Sequence, residues 1–406
     1  MTPVFPLCCE PRHETALRGL IDACVDFVRA RLSPPTLVGV VLTGSFARGE
    51  GSVLSLPGRL KVLGDIEFFV VLATGGDYQR LRATMAGWGP TASAALGGDR
   101  IDVDIEFGPV DVGYFRRARP SIFVYDLRHH GKVLWGPPDL LEAIPPYDVG
   151  DVPPEDGLRL LFNRTIEQLE TYDRIADVDP AALVGVAYRR LKIVLDLAGS
   201  ALAFSGNHCA SYNRRPAALA RLVTETPSLA RRLPGGLERE VAHAARVKLA
   251  PDEHDFARLA GETADAQRAA LRAQIVADIP AMMGLLSWEL EQLLESPGDL
   301  RHLLGLYVRT PSLARRAWDW AKLLLNPLRA PFPLAALLSP RLVWRSTPRA
   351  LLYAAGALAY ADLGARRPDP DAIARFLPLA RRARPLDPQA QRRAIVELWR
   401  WCVRNS

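Results

Sequence analysis

LTGSFARGEGSVLSLPGRLKVLGDIEFFVVL, residues 42–72, is the stretch whose reading decides the fold. It takes over from one apolar run, Leu37 to Leu42 (LVGVVL), and closes on another, Ile66 to Leu72 (IEFFVVL). Each run is short enough for a buried strand. Between them Thr43-Gly44-Ser45 turns the chain sharply, and SVLSLPGRLKVLG predicts a hairpin around Pro57-Gly58.

Working outward, His13 to Leu32 places Leu17, Leu20, Ile21, Cys24, Val25 and Val28 at helical spacing, and Pro34-Pro35 ends that helix. Asp77 to Trp88 reads as a second helix. Ile101 to Phe107 (IDVDIEF) alternates strictly, with Ile101, Val103, Ile105 and Phe107 on one face and Asp102, Asp104 and Glu106 on the other. Further strands are expected at Ile122 to Leu127 and Val133 to Trp135, around the turn His130-Gly131-Lys132.

Ile144 to Gly157 (IPPYDVGDVPPEDG) has the composition of an exposed connection, and nearly everything after it reads as helix. Helices are expected over 158–176, 180–204, 214–224, 237–249 and 262–294. Ser296-Pro297-Gly298 suggests a second boundary, beyond which Pro311, Pro327, Pro331, Pro333, Pro340 and Pro348 break the chain into shorter helices. The apolar run Ala350 to Ala361 reads as a buried helix. The expected class is therefore α+β: a domain over 1–150 with a mixed sheet and flanking helices, a helical domain over 151–297 and a basic helical region over 298–406.

The chemistry lies in the α+β part. Asp65 and Glu67 project from one face of an otherwise apolar strand, where two ionised carboxylates repel unless a cation neutralises them. Hard oxygen donors at this spacing suit Mg²⁺, which keeps phosphate oxygens and waters as its other ligands. A third carboxylate from Ile101 to Phe107 would complete a two-metal site. Asp104 is central in that strand and is taken as this ligand, although periodicity alone does not separate it from Asp102. A helix start at Gly44-Ser45, with close backbone approach and a hydroxyl donor, could grip the terminal phosphates of a nucleotide.

With these residues placed, the pattern resembles the polymerase-β-like nucleotidyltransferases. Gly44-Ser45-Phe46-Ala47-Arg48-Gly49 is similar to the G-S-x-A-R-G form of small bacterial members, and Gly64-Asp65-Ile66-Glu67 stands where that family has S-D-x-D. Glu at the second acid is similar to kanamycin nucleotidyltransferase and its relatives. The resemblance covers residues 36–136, with a longer gap between Gly49 and Asp65 than minimal members have and Gly64 in place of the usual Ser. It implies a nucleotidyltransferase catalytic domain with Asp65, Glu67 and Asp104 as catalytic and metal-binding residues and two Mg²⁺ ions. Gly44, Ser45 and Arg48 would meet the nucleotide, and a helical domain would close on it, bringing Lys192 to the triphosphate. The expected reaction moves AMP from ATP, or another nucleoside triphosphate, onto a hydroxyl of a small molecule or a protein. A second reading keeps the fold without the chemistry, as a binding or regulatory module acting through its basic tail.

Bulk composition narrows the alternatives. The net charge of +6 is segregated: residues 301–406 hold 19 basic and 6 acidic side chains, so the tail is basic and the remainder acidic. Of the 51 basic residues 46 are Arg and 5 are Lys, which fits the codon usage of a GC-rich genome and weakens a nucleic-acid reading. No RNA-binding module is recognisable, so nucleic acid is not the expected partner. Arg309 to Arg349 interleaves Arg315, Arg316, Lys322, Arg329, Arg341, Arg345 and Arg349 with Trp318, Trp320, Phe332 and Trp344. This mixture suits a structural core with a basic exterior, a protein or membrane surface, or base stacking. Five scattered cysteines form neither a disulfide framework nor a zinc site, and no signal peptide or membrane span is evident, so a cytoplasmic protein is expected. GxGxxG, GxxxxGK[ST] and GxSxG are absent.

Overall fold

The computed structural model describes residues 5–73, 78–260, 263–324, 344–379 and 387–404. Helix α1 (Glu14–Arg29) forms where the periodicity predicts, and its six expected apolar positions are all buried. It leads to β1 (Leu37–Leu42), the single-turn helix α2 (Gly44–Ala47), and a hairpin of β2 (Val53–Leu56) and β3 (Arg59–Leu72). Leu56 pairs with Arg59 across Pro57-Gly58, where Gly58 has φ +77°, a left-handed conformation that glycine adopts without steric cost.

Strand β3 is the spine of a five-stranded mixed sheet. β2 and β1 pair antiparallel with its two halves, β4 (Ile101–Asp111) runs parallel to it, and β5 (Lys132–Trp135) lies antiparallel to β1. A parallel neighbour needs a crossover, supplied here by a segment containing α3 (Tyr78–Met85) and α4 (Trp88–Ala92). Asp77, where a helix was expected to begin, lies outside the described residues.

Alternation along β3 divides its side chains between two cores. Ile66, Phe68 and Val70 enter a core with α1, Trp88 and Phe107, where Phe68 and Phe107 stack at 5.3 Å. On the opposite face Val71 joins Val41, Val110, Phe115, Val124 and Leu127, with Phe69 packed against them. Two residues earlier on that second face stand Glu67 and then Asp65, both half-buried. The acids thus sit where the second core ends.

The strand expected at Ile122 to Leu127 is instead part of helix α6 (Ile122–His130), which follows α5 (Val112–Arg116). Ser121 caps it, its side chain accepting from Val124 N–H at 3.1 Å. A short apolar and aromatic run fits either structure, and the cap decides it. His129 and His130 form the last positions of this helix, and the turn expected at His130-Gly131-Lys132 follows it.

The chain divides into two compact units, not three. The first comprises 1–156, 205–220 and 238–261, and the second 157–204, 221–237 and 262–406. No separate unit begins after Ser296-Pro297-Gly298. Two segments read as part of the helical domain belong to the α+β unit, because their polar groups complete its interior, as described below.

The second unit is helical: α7 (Pro154–Arg174) from Gly157 onward, α8 (Leu183–Phe204), parts of α9 (Arg215–Glu225) and α11 (Leu237–Leu249) with the short α10 (Pro227–Ala230) between them, and α13 (Ala264–Ala277) onward, α12 (Glu253–Ala260) lying in the first unit. Asp278, ahead of Pro280, separates α13 from α14 (Ile279–Leu294) within what the sequence suggests is one helix, since proline lacks the N–H a continuous helix would use. Together 264–294 form the one helical run, among the described residues, long and apolar enough to cross a membrane by length and composition. In α14, Met282, Leu285, Leu286, Trp288 and Leu290 are all buried in this unit. After α15 (Leu300–Tyr307) and α16 (Leu313–Leu324) come α17 (Pro348–Asp362), buried throughout 350–360 as its composition suggests, α18 (Pro370–Phe376) and α19 (Pro388–Arg404). Pro327, Pro331, Pro333 and Pro340 lie outside the described residues, as do Arg329, Phe332 and Arg341.

Glu289 is fully buried in α14, and burial pushes its carboxyl up from 4.5 to about 8. Its Oε1 lies 2.7 Å from Ser200 Oγ, which lies 2.7 Å from the Gly157 carbonyl. A protonated Glu289 donating to Ser200, which donates onward to Gly157, satisfies this chain. Folding then holds a proton that the unfolded chain releases between pH 4.5 and 8, so stability falls as pH rises through that window. Glu289→Gln is expected to remove this slope and to exceed the wild type above pH 8, by about 5 kcal/mol at most. Thermal unfolding across the pH range checks it; parallel profiles for the two proteins would contradict it.

Candidate functional site

The parallel register of β3 and β4 sets Asp104 opposite Asp65 and Glu106 opposite Glu67. Carboxylate oxygens of Asp65, Glu67 and Glu106 all lie within 4.8 Å of one another. The third member of this group is Glu106, which sequence reasoning passed over. Asp104, expected in that role, stands beside Asp65 but outside the group, and Asp102 pairs with Lys61 Nζ at 2.8 Å.

A bulge explains the difference. Lys61 pairs with Asp102 and Asp65 with Asp104, so β3 uses four residues where β4 uses two, with Gly64 in the slack. An unbroken register would have put Asp65 opposite Glu106. Alternation places Asp102, Asp104 and Glu106 on one face without saying which meets Glu67.

The Gly44-Ser45 turn is built against the same acids. Thr43 N–H donates to the Glu67 carbonyl at 2.9 Å, and Gly44, at φ +67°, leaves room for Glu67: a Cβ there would overlap Oε2. Glycine is therefore required twice, by conformation and by space. Helix α2 has only four residues, so its dipole is slight, and what the turn offers is the Ser45 hydroxyl and the N–H groups that a first helical turn leaves unpaired. Gly44→Ala is expected to destabilise the fold by about 1–2 kcal/mol through the left-handed φ alone. Because the obstructing atom is a side-chain end, Glu67 would swing out of the group. Any Mg²⁺-dependent stabilisation of the protein should then disappear while most of its thermal stability survives, and loss of neither would refute this account.

Arg48, expected at the nucleotide, is committed elsewhere. Its side chain is 10% exposed, and its guanidinium meets Glu50 at 3.5 Å and Asp126 at 3.4 Å. It also lies over the Tyr212 ring at 5.2 Å. Lys192 lies on α8, half-buried in the second unit, with its face-mate Tyr188 buried.

Glu50 centres a buried polar network that the sequence does not announce. Its carboxylate accepts from the Ser211 hydroxyl at 2.7 Å and from the N–H groups of Tyr212 and Asn213 at 3.0 and 3.4 Å. Lys248 donates to the Glu50 carbonyl and to Ser52 Oγ, at 3.1 and 2.7 Å. Arg215 and Lys248 join Arg48 around the Tyr212 ring. Asp126 bonds His208 Nε2 at 2.7 Å. Burial would raise the Asp126 carboxyl, but the His208 bond and the Arg48 and Arg215 charges outweigh it and hold the pKa below the ordinary value. Residues 205–220 and 238–261 are thus stitched to the segment that follows α2.

Comparison of the chain with models of protein families, with curated proteins and with solved structures finds no match.

Three carboxylates on adjoining strands form an all-oxygen donor set that suits a hard divalent ion. Oxygens sharing one Mg²⁺ sit about 3–4 Å apart at bond lengths of about 2.1 Å, so a group spanning up to 4.8 Å needs only a small contraction. Among the described residues it is the only group of His, Cys, Asp and Glu so arranged.

Proposed function

We propose that this chain is a Mg²⁺-dependent nucleotidyltransferase of the polymerase-β-like kind, moving a nucleoside monophosphate, AMP in the first instance, from its triphosphate onto a hydroxyl. The observation that carries this is the convergence of Asp65, Glu67 and Glu106, with Gly44 pressed against Glu67. A phosphate-gripping turn and a metal-binding acid pair that share one contact make sense as a unit.

Asp65, Glu67 and Glu106 would hold Mg²⁺, which when bound neutralises triphosphate charge and eases ionisation of the acceptor hydroxyl. The chain's own contribution is to hold and orient. Ser45 and the turn backbone fix the outer phosphates, and the bulge at Gly64 fixes the acids. The acceptor oxygen bonds to the α-phosphorus, the bond from that phosphorus to the bridging oxygen breaks, and pyrophosphate leaves. Asp104, the cross-strand neighbour of Asp65, is the carboxylate assigned to take the acceptor's proton.

The test is thermal stabilisation of the intact protein by ATP, GTP, CTP and UTP, each with and without Mg²⁺. One nucleotide should raise the melting temperature only with the metal, by the equivalent of about 2.7 kcal/mol at a hundredfold excess over Kd. If none of the four shifts it, the proposal fails.

A further inference from the structure

We propose that the second unit carries a docking surface for anionic lipid membranes, formed by α16 and the neighbouring segment 344–346. Leu313, Ala314, Ala317, Trp318 and Ala321 fall on one stripe of α16 by their three- and four-residue spacing. Leu313 and Trp318 are 57% and 60% exposed, and Trp344 is 69% exposed, three of the four large apolar side chains on the surface described. The side of the helix that adjoins the stripe beyond Leu313 is anchored. Trp320 is buried and donates to the Ser346 carbonyl at 2.9 Å, and Arg316 donates to the Trp344 carbonyl at 2.7 Å. The stripe is therefore held outward by its own fold.

Charge surrounds it on one side. Lys322 Nζ lies 5.6 Å from the Trp318 ring centre. Beside it a cavity of about 120 Å³ is lined by Arg315, Lys322 and Arg349 with a single carboxylate, Asp319. From Trp320 to Ala361 the sequence contains no Asp or Glu. A helix with tryptophan and leucine on one face and cations beside them lies in the headgroup region of an anionic bilayer, its apolar face in the acyl boundary. A nucleic acid would use the cations but has no place for Leu313 and the alanine stripe. A second copy would bring like charges together, so its contact is opposed by the same residues that favour lipid.

The experiment is flotation of the full chain with vesicles of phosphatidylcholine alone and of phosphatidylcholine mixed with phosphatidylglycerol. The protein should float with the mixed vesicles only, with a blue shift of tryptophan emission and weaker binding at high salt. Trp318→Ala with Trp344→Ala should lower partition by about tenfold or more, and Lys322→Glu should lower it for the anionic vesicles. Trp318 and Trp344 are exposed, so the melting temperature of their variant should be unchanged, and Lys322→Glu, at a half-buried position, gives an independent reading if the tryptophan variant does not fold. Failure to float, or unaltered partition of both variants, would overturn the proposal. So would binding of single-stranded RNA, or self-association, that is lost in these variants while vesicles are ignored.

Discussion

Asp65→Asn is expected to lower nucleotidyl transfer by about a thousandfold or more while making the metal-free protein more stable. Three carboxylates whose oxygens lie within 4.8 Å repel one another when no cation is present. Coulomb energies at such separations run from about 1 kcal/mol in water to about 4 kcal/mol near a protein surface. Removing one charge recovers part of that. The variant should thus melt higher in chelator, by the equivalent of about 1 kcal/mol, and no longer respond to Mg²⁺ with nucleotide. Solvated acids on a sheet edge would give neither result. Pyrophosphate release and melting in EDTA measure the two arms, and a variant that turns over normally would end the assignment.

Glu50→Ala is expected to cost about 3–5 kcal/mol of folding stability, as removal of one partner from a buried ionic network does. It leaves the Ser211 hydroxyl and the N–H groups of Tyr212 and Asn213 without their acceptor and takes from Arg48 one of the two carboxylates it meets. Glu50→Gln should fall between, since one amide oxygen replaces two carboxylate oxygens and the amide nitrogen faces backbone donors. Urea denaturation distinguishes the three proteins. Equal midpoints would show that Glu50 contributes nothing to holding 205–220 in the first unit.

Much of the sheet was legible because its strands are written in patterns that few other structures share. LVGVVL and IEFFVVL are too apolar and too short for surface helices, and IDVDIEF alternates without exception. The carboxylate-bearing face followed from the same periodicity. The partner of Glu67 did not, because a parallel strand's register depends on the bulge after Lys61, which no local pattern specifies. Ile122 to Leu127 was misread because a six-residue run of apolar and aromatic residues broken only by Asp126 is ambiguous and the deciding group, Ser121, lies outside it. Arg48 reads as a phosphate ligand from its motif, whereas its position is set by Glu50 and Asp126, the latter distant in sequence. Glu50 itself, between two glycines, gives no sign that residues some 160 positions later will surround it.

The interleaving of the two units bears on how the protein can be made and cut. The chain passes from one unit to the other at 156/157, 204/205, 220/221, 237/238 and 261/262. A fragment ending near residue 150 would carry every acid of the candidate centre yet lack Tyr212 and Lys248, leaving Arg48 and Glu50 facing water in a half-finished interior. During synthesis the same condition holds until residue 261 has emerged from the ribosome. The α+β unit is thus N-terminal in sequence without being an autonomous module, and shuffling it into another protein would require the helices that thread back to it.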